Sequence, residues 1–514
     1  MTSTTLRHHE TASRTGSRET VVLATLVLAI VVLHVLSLRP GHEWSDDFAM
    51  YVAHAMNLLA GHPYGDTGYT ANPWAVPGPA TYPPVYPLVI VPAIAIWGPD
   101  LQMLKVLGIT MFGGGLAAGY ALLRPRVGKA AGLAGVALIG LCPYLIDFGN
   151  QVRADSLFLL FFLLTLWLGD RWSGMPQPWD RRRIAQGLVL GLVAYLAYGT
   201  RSVGMVLLPA LIATEAWRLR RIGPVLAIAL PTWLLLALLQ SLTLHSDGGY
   251  ASLVTLDPHT VVYNTRSYLA SLSLLWSNGL PAPWGFGLRG AMFVIVSLLA
   301  VIGFAANLRR GVTVLEVIPV TYMAPLIVYW VGTMIQQRYM LPLFPIYLYH
   351  AWSGLGVLQR RFSPALARGL LVLLGIGTLI AYVSAYATAP RGAVEPSLTD
   401  ADGQAVFSRV RTQTPADAVL LVGRARAFPL YTQRRAVSPY GYRTDAELWG
   451  LIRQHGVTHI VVGRGALAKE MDYEHPGDLA RFAAANGAAL PVVFRNASFE
   501  LLAVKSIPAE GGAP

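Results

Sequence analysis

Apolar and polar positions fall in long blocks in this chain. From Val21 to Tyr386, apolar runs of roughly 20 residues, the length that crosses a bilayer as a helix, succeed one another with short polar breaks. They predict about eleven spans, over 21–38, 101–123, 130–146, 156–169, 186–200, 203–217, 224–244, 290–307, 313–332, 340–357 and 368–388. Val85 to Trp97 is shorter and interrupted by Pro87 and Pro92, so it reads as a re-entrant or interfacial piece inside a first loop covering 39–100. The preceding Thr81-Tyr82-Pro83-Pro84-Val85-Tyr86-Pro87 is too rich in proline for a regular helix or a central strand. Beyond Ala389 the blocks shorten. Strand-like runs at Ala418–Val422, His459–Val462, Leu490–Val493 and Glu500–Val504 alternate with helical ones at Asp445–Gln454 and Asp478–Ala485, predicting a small α/β domain over 389–514.

Charge orients this pattern. Arg124/Arg126/Lys129, Arg171 with Arg181–Arg183, Arg218/Arg220/Arg221, Arg309/Arg310 and Arg360/Arg361 all lie on the side of the basic N-terminus. The positive-inside rule then makes residues 1–20 a cytoplasmic tail, 21–388 the membrane domain and 389–514 extracytoplasmic. Arg7, Arg14 and Arg18 precede the first apolar run, but no small-residue cleavage pattern comes after Leu38-Arg39-Pro40, so this run is expected to remain as a span. Composition agrees with a lipid solvent: of 514 residues 54% are hydrophobic and 13% charged, with mean hydropathy +0.49. The net charge of +12 is spread in interhelical groups, a distribution set by topology and unlike a nucleic-acid footprint. Cys142 is the single cysteine, which excludes an intramolecular disulfide and a cysteine metal site.

Candidate chemistry gathers on the external side. Glu43-Trp44-Ser45-Asp46-Asp47 precedes an amphipathic helix marked by Phe48, Tyr51, Ala55, Leu58 and Leu59. Ser45 suits an N-cap and the two aspartates suit a first turn, a purely structural role. Adjacent carboxylates at a membrane boundary also suit activation of a hydroxyl, or a divalent cation, Mg or Mn, held by Asp46 and Asp155. His62, Tyr64, Tyr82 and Tyr86 stand where a sugar or acceptor would stack or hydrogen-bond, although an interfacial aromatic belt explains them too. In the second external loop, Asp155 suits a helix cap and Arg153–Asp155 a surface ion pair. Arg201 and Arg338 break the inside bias. Snorkelling is one explanation and bidentate phosphate binding the other.

An acidic pair before an amphipathic helix, a Gly-His-Pro-Tyr turn at 61–64, Tyr-Pro-Pro-x-Tyr-Pro at 82–87 and an external Arg-x-Asp at 153–155 together resemble the membrane glycosyltransferases of the C-type fold. The likeness is to their protein-mannosyltransferase and aminoarabinose-transferase branch. Arg338-Tyr339-Met340-Leu341-Pro342 also looks like that branch's Arg-Tyr-x-Leu-Pro signature. The resemblance implies an α-helical polytopic fold with juxtamembrane helices and transfer of a sugar from a polyprenyl-phosphate donor to an envelope glycan, lipid or protein acceptor. It implies inversion, with Asp46 or Asp47 as general base and Asp155 as the second-loop acid. Arg153, Arg201 and Arg338 are expected at the donor phosphate, and Glu43, His62, Tyr64, Tyr82, Tyr86 and Tyr339 around the sugar or acceptor. Two departures stand out: Val85 replaces a leucine after the prolines, and Thr81-Tyr82 stands where relatives carry a lysine.

Two other classes compete. A transporter or flippase would show internal repeats and broken helices meeting at mid-bilayer, and no repeat stands out. A catalytically dead scaffold with an outer binding domain has no sequence feature against it.

Overall fold

The computed structural model describes residues 3–70, 72, 78–173, 179–244, 254–277, 287–329, 337–471 and 478–508, with side chains from residue 18 onward. Six described helices are long and apolar enough to cross a membrane: Arg18–Leu36, Leu101–Val127, Ser202–Leu219, Pro224–Thr243, Leu288–Arg310 and Pro364–Ala387. Their outer faces are what a bilayer requires. On Pro364–Ala387, Val372, Leu373, Ile376, Leu379 and Val383 are all exposed, a contiguous apolar surface that water would not tolerate.

Several expected spans change at their ends for local reasons. The run over 130–146 is divided into Lys129–Gly140 and Pro143–Phe148, because Pro143 lacks the N–H needed to continue the first helix and starts the second. The 340–357 run opens as a 3₁₀ turn, Gln337–Leu343, before the helix Phe344–Arg361. Val314–Val328 covers most of 313–332, whose last three positions lie outside the described residues. The proline-rich stretch is more regular than expected: Val85–Trp97 is helical from its first turn. Pro87 sits where N–H groups have no intrahelical partner, so its missing donor costs nothing there. A further helix, Pro258–Ser271, and the 3₁₀ turn Leu272–Trp276 were not expected.

Outside the helical bundle the chain forms a six-stranded sheet in the order β1-β3-β2-β4-β6-β5. The strands are β1 Tyr69–Thr70, β2 Val419–Val422, β3 Arg435–Val437, β4 His459–Gly463, β5 Val492–Arg495 and β6 Phe499–Ala503. β1 to β4 pair in parallel, while β6 pairs antiparallel with both β4 and β5. Helices Ala427–Thr432 and Asp445–His455 make the crossovers that parallel neighbours require. β1 comes from the first loop, more than 300 residues away in sequence from its partner, so the sheet is not built from 389–514 alone. One hydrophobic core joins the two regions: Trp44 lies 5.6 Å from Phe407, 6.1 Å from Phe428 and 5.3 Å from Phe499.

Candidate active site

The helix Asp47–Ala60 begins without a side-chain cap: its N-cap residue is Asp46, in an αR conformation with no capping hydrogen bond. Ser45 therefore does not cap it, and both aspartates are left for tertiary partners. Phe48, Tyr51 and Ala55 are buried, as are Ala49, Met50, Val52 and His54, because the outer sheet's helix Ala427–Thr432 covers the side that sequence would leave to solvent.

Asp47 is the centre of the cluster. Its Oδ1 accepts from the Tyr82 hydroxyl at 2.9 Å and its Oδ2 from Arg338 Nη2 at 2.5 Å. Arg338, brought in by the 3₁₀ turn, also places Nη1 3.7 Å from Asp155 Oδ2. The other oxygen of Asp155 accepts from Arg201, whose guanidinium lies 4.5 Å from the Tyr339 ring centroid. A chain of alternating groups, Tyr82–Asp47–Arg338–Asp155–Arg201, thus links distant segments. Asp155 is 3% exposed and the Arg338 side chain 9%, whereas Asp47 is 25% exposed. Packing opposes ionisation of Asp47, but Arg338, then Arg153, outweigh it and hold the carboxyl well below the usual carboxylate range.

The first two loops are stitched together beside it. Glu43 accepts from Arg153 Nη2 and Gln151 Nε2, both at 2.8 Å. His42 is completely buried; its Nε2 accepts from the Val152 N–H at 3.0 Å while its Nδ1 donates to the Glu43 carbonyl at 2.9 Å. Arg153 therefore pairs with Glu43 and not with Asp155, and Asp155 caps nothing; it balances two guanidiniums. Nor do Arg201 and Arg338 snorkel. They turn inward because Asp155 and Asp47 offer charge-assisted bonds that lipid headgroups would have to replace.

The remaining expected residues divide. Tyr64 stacks on His54 with centroids 4.0 Å apart and donates to the Tyr82 carbonyl at 3.0 Å, so it supports Tyr82. Tyr86 is buried 4.8 Å from Tyr51, and Tyr339 lies under Arg201. His62 is exposed in the turn after the helix, where its backbone N–H bonds the Asn57 carbonyl. The expected cation pair does not assemble. Asp155 is shared by two arginines, Asp46 faces Arg424 at 3.8 Å, and no group of three or more His, Cys, Asp or Glu side chains suited to a metal occurs among the described residues. As placed, these donors do not fit a divalent cation.

Sequence reasoning missed Arg424 and Arg426, which reach the cluster from the outer sheet. Arg426 Nη1 donates to the Tyr82 hydroxyl at 3.1 Å. Their signal was present: Arg-x-Arg directly after a buried strand sits at the carboxyl end of that strand, where α/β sheets place ligand-contacting loops. Several buried polar atoms of the cluster have no hydrogen-bond partner among the described residues, including Arg338 Nε and Nη1, Arg153 Nε and Asp46 Oδ1. The guanidinium donors among them mark a place for an acceptor-rich ligand. An apolar cavity of about 340 Å³ lies between the helices, lined by Gly115, Leu163, Trp276, Met292, Leu374 and, three residues after Arg338, Leu341.

No protein-family model and no curated protein sequence matches the chain. Solved structures do. An oligosaccharyltransferase, AglB from Archaeoglobus fulgidus, in complex with an inhibitory peptide and a dolichol-phosphate, aligns over 96% of this chain and 75% of its own with TM-score 0.58 and 11% identity. ArnT from Cupriavidus metallidurans, bound to undecaprenyl phosphate, aligns over 96% of this chain and 99% of its own with TM-score 0.52 and 14% identity. The arabinofuranosyltransferase AftD from Mycobacteria covers 94% of this chain, which spans 40% of AftD, with TM-score 0.52 and 13% identity. Identities this low establish architecture, and the architecture is the one its sequence resembles: the chain has the C-type fold of the membrane glycosyltransferases.

Proposed function

We propose that the protein transfers a sugar from a polyprenyl-phosphate donor to an acceptor hydroxyl at the extracytoplasmic face, with inversion and with Asp47 as general base. The observation that carries this reading is Asp47 itself: a partly exposed carboxylate shared between Tyr82 and Arg338, a guanidinium whose Nε and Nη1 have no hydrogen-bond partner among the described residues. Asp46 is the weaker candidate because it is turned toward Arg424 and the outer sheet. Two of the structural neighbours were solved with dolichol-phosphate and undecaprenyl phosphate, which supports the same chemical class of donor here.

In this reading the donor phosphate competes with Asp47 for Arg338 and draws on Arg201 and Arg153, since guanidiniums match phosphate oxygens bidentately. The prenyl chain lies in the apolar cavity whose wall contains Leu341. Asp47, freed of one partner, accepts the proton of the acceptor hydroxyl. The acceptor oxygen forms its bond to the anomeric carbon from the face opposite the phosphate as the carbon–oxygen bond to phosphate breaks. The bonding pair leaves on the phosphate, where the arginines stabilise the added charge. No nucleotide is needed, and no step passes through a metal. The membrane orientation belongs to the same proposal: basic helix ends such as Arg171 face the cytoplasm, and Asp155, at the other end of the same helix, faces out.

The test is transfer of labelled sugar from a panel of polyprenyl-phosphate sugars to membrane acceptors by purified protein. Asp47→Asn is expected to lower turnover by about 10²–10⁴-fold, the usual worth of a general base, while donor binding persists. Full turnover by Asp47→Asn would remove the base assignment, and no transfer by the wild type across the panel would remove the enzyme reading.

A further inference from the structure

The outer sheet delivers two arginines from one place. Its parallel strands run in the order β3-β2-β4, so the chain leaves β2 toward β3 on one side and then crosses to β4 on the other. At such a reversal of strand order the loops diverge and open a crevice at the carboxyl ends, and Gly423–Arg426 leaves β2 there. Ala425, Ala427 and Phe428 are at most 1% exposed, so the segment is fixed by packing and its arginines project with little freedom. Arg424 Nε donates to the Glu470 carbonyl at 2.7 Å while Nη1 stands 3.8 Å from Asp46 Oδ2. Arg426 lies over two rings, 5.2 Å from the centroid of Tyr69 in β1 and 5.7 Å from that of Tyr82.

We infer that Arg426 is a positioning residue that acts on Asp47 through Tyr82, making the outer sheet part of the catalytic apparatus; this rests on Asp47 being the base. Arg426 donates to the phenol oxygen, which leaves the single Tyr82 proton to be directed at Asp47 Oδ1. The positive charge polarises that hydroxyl and strengthens its bond to the carboxylate. The result is a carboxylate whose Oδ1 is fixed from the outer side while Oδ2 is held by Arg338, the partner a donor phosphate would compete for. The groups facing Asp47 are Arg338 from the 3₁₀ turn, Arg153 from the second loop, Arg426 from the outer sheet, Tyr82 from the first loop and Tyr51 one turn along its own helix, with Asp155 beyond Arg338. Removing Arg426 or Tyr82 takes away support for the ionised form, so the acidic limb of the rate profile moves to higher pH.

The alternative is that Arg426 merely fastens the outer sheet to the loop. The experiment compares Arg426→Gln, Arg426→Lys, Tyr82→Phe and the Arg426→Gln/Tyr82→Phe double variant in the full-length protein, with Asp47→Asn as reference. The readouts are turnover against pH, donor KM, and resistance of the outer region to limited proteolysis. Arg426→Gln and Tyr82→Phe are each expected to lower turnover about tenfold, the worth of one hydrogen bond to a charged group, with the acidic limb moved upward. Donor KM stays unchanged, the double variant is no worse than either single one, and Arg426→Lys recovers part of the loss. A wild-type pH profile in Arg426→Gln with the outer region intact, or multiplying losses in the double variant, would overturn the inference. Should Arg426→Gln fail to fold, Tyr82→Phe decides, since it leaves the arginine in place: an unmoved acidic limb there overturns it equally. An active Asp47→Asn instead condemns the parent reading, a distinguishable result.

Discussion

Asp155→Asn is the sharpest perturbation of the charged chain. Asp155 is 3% exposed and balances Arg201 and Arg338, so the amide, nearly identical in shape, removes a charge without opening a cavity. Breaking a buried pair by neutralising one partner costs about 3–5 kcal/mol, because the other charge stays buried without compensation. Two features reduce that here: Arg338 keeps Asp47 at 2.5 Å, and Arg201 keeps the Tyr339 ring face, a contact worth about 1 kcal/mol. The expected loss is therefore about 2–4 kcal/mol. Equilibrium unfolding in mixed detergent micelles measures it, and the Asp155→Asn/Arg201→Gln cycle isolates the pair, with an expected coupling of at least about 1.5 kcal/mol. A loss below about 1 kcal/mol, or strictly additive single effects, would refute the argument that this acid balances buried cations.

His42 makes stability pH-dependent. Burial pushes it from the ordinary 6.5 down to about 4, so the unfolded chain binds a proton that the folded chain refuses. Its contribution is full above 6.5 and is lost as pH falls toward 4, about 2 kcal/mol between pH 7 and pH 5. His42→Gln should flatten that stretch of the stability–pH curve, and an unchanged slope would show that His42 does not set it. Gly303→Ala tests how the bundle packs: a methyl group there would overlap the His350 carbonyl oxygen, and one on Gly354 would overlap that of Leu299. Backbone cannot yield as a side chain does, so the overpacking cost of about 1–3 kcal/mol outweighs the roughly 1 kcal/mol that alanine gains in helix propensity. Gly369→Ala, with nothing within 4 Å, is the control and should be neutral or stabilising by thermal unfolding.

Much of the site could be read along the chain, and particular residues show why the rest could not. Arg201 and Arg338 stood out because charge at a bilayer boundary is costly and demands a reason, Asp46 and Asp47 as adjacent carboxylates, and Asp155 through the family resemblance. Their partners were invisible. Arg153-x-Asp155 looks like an ion pair, yet the helix starting at Asp155 sends that side chain toward Arg201 and Arg338 and leaves Arg153 to Glu43. His62 sits beside Tyr64 in sequence, but the turn after the helix puts it in solvent.

By itself the sequence determined the features set by local physics: the apolar runs that become helices, the basic helix ends, and most strands of the outer sheet, with β2, β4 and β6 matched to within about a residue at their ends. Length, hydropathy and alternation act over a few turns, so no distant contact is needed to specify them. Only the tertiary structure decided that β1 joins a sheet whose other strands lie more than 300 residues on, and that Trp44 is shared with Phe407, Phe428 and Phe499. It alone decided that Arg426 meets Tyr82 across 344 positions. Those pairings satisfy buried backbone groups, aromatic surface and charge between segments that have no local relation. Such choices are made by the energy of the assembled core, and no window of the chain contains it.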